Sequence, residues 1–118
     1  MDEKVWGKLK RETFADAEEF LALLMPVTQA NEIANKLMEA PDFKATARNI
    51  IRAAELPLLS VVTEVHSSDR VRPEEPYSPV LAVRFTGERK LTIVDGYERL
   101  CQSVYLTDDP EVPIRLLA

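Results

Sequence analysis

Three glycines, one cysteine, one tryptophan and one histidine are all that 118 residues contain of these types, and aromatic side chains make up only 7%. The lone thiol, Cys101, has no partner for an internal disulfide, and with one histidine it forms no zinc-binding cluster. The composition therefore points to a reduced, cytoplasmic setting. No apolar run approaches the roughly 20 residues of a membrane span. The first residues, MDEKVWGKLKRETF, lack the apolar stretch of a secretory signal. An excess of positive charge is missing as well. The net charge is −5, with eight basic against ten acidic residues over 1–56 and seven against ten over 57–118. Binders of nucleic acid or anionic membranes neutralise phosphates with clustered Lys and Arg, so this balance argues against both as partners.

What is present describes one ordinary globular domain, with 46% hydrophobic and 30% charged residues. The first half, residues 1–56, reads as helical. Thr13 is placed to cap a helix from Phe14, with Asp16 completing a capping box, and Phe14, Ala17, Phe20, Leu21 and Leu24 form its apolar stripe up to Pro26. Thr28 is placed to cap a second helix with Ala30, Ile33, Ala34 and Leu37 on one face. Pro41-Asp42 opens an expected third helix with Phe43, Ala47, Ile50, Ile51 and Ala54 at helical spacing, ending before Pro57.

Beyond Pro57 the period changes. PLLSVVTEV reads as a strand and HSSDRVRPEEPYS as a long polar loop; PVLAVRF and KLTIV then form a hairpin around Thr86-Gly87-Glu88-Arg89. A helix is expected from Tyr97 to Leu106, with Tyr97, Leu100, Cys101, Val104 and Tyr105 on one face. Val112, Ile114 and Leu116 alternate in a last strand, so the order of elements predicts an α+β fold.

LTIVDGYERL is the one stretch that hints at chemistry. A strand running into Asp95-Gly96 and then a helix makes a tight turn, which glycine permits, and the free N–H groups of a helix start attract anions. Arg99 in the first turn can fork onto a phosphate or carboxylate. Glu98 would either hold a metal ion carried by a nucleotide or pair with Arg99 or Lys90. The plainer alternative has Asp95 capping the helix and Gly96 making the turn, with nothing bound.

The run IVDGYERLCQSVYLTDDPEVPIRLL resembles the core of the ParB/sulfiredoxin-like superfamily, whose members end a strand with D-G-H-H-R, G-E-R-R or G-C-H-R before a helix and a short "vPv" strand. Asp95, Gly96 and Arg99 match that motif, Val112-Pro113-Ile114 matches the strand, and Pro79 and Val83 match an upstream "P-i-x-V" strand. The resemblance covers residues 57–118 and implies a β-β-β-α-β core carrying the helical layer of residues 1–56. It also implies a phosphate-bearing ligand, a nucleotide with magnesium, at Asp95, Gly96, Tyr97, Glu98 and Arg99. Two departures narrow this. Tyr97 stands where sulfiredoxins carry their catalytic cysteine, and Glu98 stands where partition proteins carry a first arginine. Family members that phosphorylate free amino acids use a strand-end glutamate, which makes Glu64, beside Glu98, the catalytic candidate. His66 and Ser67, Ser68 and Asp69 sit in the adjoining loop.

TQANEIANKLMEAPDFKATARNIIRAA has the cadence of a helix-turn-helix, with Lys44, Arg48 and Arg52 as a basic stripe. Glu39, Asp42 and Glu55 flank that stripe, and a solvated helix face explains it equally. Three functions stay open: a phosphate-ligand site, a DNA-associated accessory protein, and a protein-interaction module that has lost the ligand.

Overall fold

Proline sets the boundaries of the N-terminal half. The computed structural model describes residues 6–57, 77–106 and 111–117. Helices α1 (Arg11–Leu21) and α2 (Val27–Glu39) are separated by a turn ending at Pro26, whose φ of −58° makes it the N-cap of α2. Thr28 therefore lies inside the helix it was expected to cap. Thr13 lies inside α1 and is buried. That helix begins earlier because Ser78 Oγ accepts a hydrogen bond from the backbone N–H of its N-cap, Lys10, at 2.7 Å. A tertiary contact fixes the start where local capping chemistry pointed three residues on.

The expected third helix is shorter than its apolar spacing suggests. Residues 43–46 form strand β1 (Phe43–Thr46), and helix α3 (Ala47–Ala53) starts only where Thr46 accepts a hydrogen bond from the Asn49 N–H at 3.4 Å. Pairing with the last strand overrides local helix preference, because it satisfies an edge of backbone donors and acceptors. Lys44 consequently lies on a strand while Arg48 and Arg52 lie on α3, so no single helix face carries all three. At the far end of α3, Glu55 takes φ of +58°, with Glu55 N–H donating to Arg52 O and Leu56 N–H to Ile51 O, the pair of bonds of a Schellman cap.

Strands β2 (Val80–Val83) and β3 (Thr92–Asp95) form the expected hairpin, with Gly87 at φ +87° in its loop. Helix α4 (Tyr97–Leu106) and strand β4 (Glu111–Leu117) follow at the expected places. Among the described residues, four strands lie in the order β1-β4-β2-β3. β2 and β4 are parallel in the centre, and β1 and β3 are antiparallel at the edges. Of the strand expected at residues 57–65, all but Pro57 lies outside the described residues.

The sheet separates two apolar layers, which makes the protein an α+β fold. On one face α1 and α2 pack against Leu81, Val83 and Val94; on the other α3 and α4 pack against Val80, Ala82, Val112 and Ile114. Side chains alternate between the faces because successive strand residues point to opposite sides. β2 is buried throughout, since helices cover it on both faces. The helical layer expected of the N-terminal half is thus α1 and α2, while α3 joins α4 across the sheet.

Candidate functional site

β3 and α4 meet at Asp95-Gly96, and the geometry there explains the glycine. Gly96 has φ of +114°, a conformation that side-chain-bearing residues rarely adopt. A methyl group at its Cα would stand 2.9 Å from Arg99 Nη2 and 3.2 Å from Val80 Cγ2. Gly96 is therefore the surface on which the Arg99 guanidinium rests. Its carbonyl accepts the Leu100 N–H at 2.9 Å, so the α4 ladder begins there.

Arg99 turns back over the helix start as its position in the first turn allows, and it meets the chain's own acceptors. Nε donates to Ser78 O at 3.0 Å and Nη2 donates to Pro79 O at 3.0 Å. Nη1 stands 2.9 Å from Asp95 Oδ2, with the two side chains only 21% and 15% exposed. That oxygen is buried and makes no aligned hydrogen bond, so the contact is an ion pair rather than a hydrogen-bonded fork. Burial pushes the Asp95 carboxyl above its ordinary value of 3.8; the Arg99 charge pulls against the rise, and Asp16 adds to it.

The segment that Arg99 grips is held from other sides too. Ser78 is buried, and its hydroxyl oxygen takes the Lys10 N–H. The Tyr77 carbonyl accepts the Gly7 N–H at 2.8 Å, and the Tyr77 ring meets Trp6 edge-on with centroids 5.3 Å apart. The Tyr77 hydroxyl donates to Gln102 Oε1 on α4. Residues 6–10, the start of β2, the end of β3 and the first turns of α4 converge on this point.

The remaining sequence-derived candidates divide. Tyr97 packs against the core beside α3, and its hydroxyl donates to Pro57 O. Burial, and then the neighbouring Cys101 thiol, raise its phenol pKa, which keeps the donor protonated. Cys101 is buried in the same core. Glu98 is exposed. Glu64, His66, Ser67, Ser68 and Asp69 lie outside the described residues. Among the described residues, no group of three or more His, Cys, Asp or Glu side chains could hold a metal ion.

A second arginine went unremarked in the sequence. Arg115 sits on β4, where its Nε lies 2.6 Å from Asp42 Oδ1 and its Nη1 donates to Leu37 O at 3.4 Å and to Met38 O. Those carbonyls end α2, where Leu37 O also takes the C-cap Ala40 N–H at 3.3 Å and a positive charge is favoured. One charged letter inside the apolar run of EVPIRLL was the available signal. Comparison with family models, with curated proteins and with solved structures finds no match to this chain.

Proposed function

We propose that the protein is a small protein-interaction module, built on a ParB/sulfiredoxin-like core, in which the DGYER junction serves as an internal brace. The observation that carries this reading is the guanidinium of Arg99, engaged at once by Ser78 O, Pro79 O and Asp95 Oδ2. A phosphate would have to displace those acceptors before it met the fork. Large apolar side chains at the surface support the interaction side of the reading, with Leu23 83%, Leu24 55% and Val27 68% exposed.

The competing reading, a nucleotide with magnesium at Asp95–Arg99, makes opposite forecasts in one experiment. Thermal melting of the parent and of Arg99→Ala is followed with and without ATP, GTP, phosphate and sulfate, each in the presence and absence of magnesium. Bracing gives a parent that none of these additives stabilises. Arg99→Ala then melts on the order of 10 °C lower, because losing the charged donor and stranding buried Asp95 costs about 2–4 kcal/mol. A ligand-dependent rise in the parent, abolished in a variant that melts as the parent does, would establish the ligand site instead.

A further inference from the structure

We infer that the outer face of α1 and the tip that follows it form a docking surface for a basic amphipathic segment of a partner protein. This rests on the interaction-module reading and gives it a partner chemistry. One face of α1 is buried through Thr13, Ala17 and Leu21. On the opposite face Glu12, Asp16 and Glu19 are exposed at spacings of four and three. The stripe continues past the helix end, because Leu23 N–H donates to Phe20 O and Leu24 N–H to Leu21 O, which keeps the turn helical in curvature. Leu23 thus stands one turn beyond Glu19 on the same line, and Leu24 and Val27 widen the apolar end.

The surface therefore has a polarity. Three carboxylates span about 10 Å of helix at 1.5 Å per residue, and apolar anchors lie about one turn further. Its complement is a helix with two apolar side chains at one end and Lys or Arg over the next two turns, at positions four and seven residues apart. Charge complementarity selects that occupant over the other two. A second copy docked through the same patch would set one acidic stripe against its twin. An anionic membrane would repel the stripe while the tip approached.

The full chain, labelled for amide NMR, is titrated with a synthetic helical peptide carrying two leucines followed by lysines at that spacing, and with its Lys→Glu counterpart. Docking gives shift changes centred on Leu23, Leu24, Val27 and Glu19 with the lysine peptide, and none with the glutamate peptide. Leu23→Ser/Val27→Ser should weaken binding by about tenfold or more, as expected for exposed anchors that carry much of the contact. Glu12→Lys/Asp16→Lys/Glu19→Lys should exchange the peptide preference; all five positions are exposed, so the fold is retained. No response at about 1 mM peptide, weaker than about −4 kcal/mol of affinity, would overturn the inference. So would shifts elsewhere, self-association in sedimentation, or tip shifts with phosphatidylcholine/phosphatidylglycerol vesicles. A silent tip together with a silent junction in the nucleotide titration removes the docking surface alone; nucleotide-dependent shifts at Tyr97–Arg99 remove the module reading.

Discussion

Arg99 and Arg115 are built alike, on opposite sides of the chain's organisation. Each sets a guanidinium against one carboxylate and two backbone carbonyls: Asp95 with Ser78 and Pro79 for the first, Asp42 with Leu37 and Met38 for the second. Only Arg99 falls in a stretch that looks like an anion site. The resemblance between the two teaches that an arginine beside a tight turn is not by itself a ligand fork, since the same donors serve to tie one piece of backbone to another. The difference lies in the carboxylates. Asp95 is 15% exposed and Asp42 45%, so Asp42 keeps much of its hydration if its arginine is removed and Asp95 does not.

The largest effect expected from this comparison is at Gly96. Gly96→Ala imposes a disfavoured φ and drives a methyl group into Arg99 and Val80, for a loss of about 3–5 kcal/mol. Gly87→Ala shares the positive φ but meets nothing within 4 Å, and should cost about 1–2 kcal/mol. Denaturant midpoints of the two variants measure the part due to the brace; equal losses would mean that Gly96 matters for its backbone angle alone.

Arg115→Ala is expected to destabilise by about 1–3 kcal/mol, less than Arg99→Ala because Asp42 stays solvated. A larger loss at Arg115 would reverse the order that burial dictates.

The smallest effect is in the pH dependence. A carboxyl whose pKa is raised on folding contributes stability that is full below its unfolded value, near 3.8, and lost as the pH rises through the folded value. Asp95→Asn removes that titration. Its melting temperature should therefore gain on that of the parent as the pH rises from 3.8 toward neutrality, and a gap that instead widens in favour of the parent would show that the charged pair with Arg99 outweighs desolvation.

Much of the fold could be read directly. The hairpin and α4 followed from periodicity together with Gly87, Gly96 and the Thr107–Pro110 run, all local signals. β1 could not, because four residues with helix-compatible spacing become a strand only through pairing with β4, some 70 positions on, from Phe43↔Ile114 to Thr46↔Glu111. The start of α1 depended in the same way on Ser78. The candidate site was legible as a place but not as a role. Asp95, Gly96 and Arg99 do converge, yet the acceptors that occupy Arg99 are carbonyls 21 and 20 residues away, which no side-chain letter announces. Arg115 was missed for that reason too, its carbonyl partners being 78 and 77 residues distant.

Hydrogen exchange at the Arg99 Nε–H, followed by side-chain NMR in the intact protein, tests the brace most directly, with the Arg115 Nε–H as internal reference. The bond from Nε to Ser78 O slows exchange at Arg99 well below that of exposed Arg48 and Arg52, to a degree comparable with Arg115, and adding phosphate or magnesium-ATP leaves its shift unchanged. An Arg99 Nε–H that exchanges as fast as an exposed arginine's and moves on titration with phosphate, while Arg115 stays still, would contradict it.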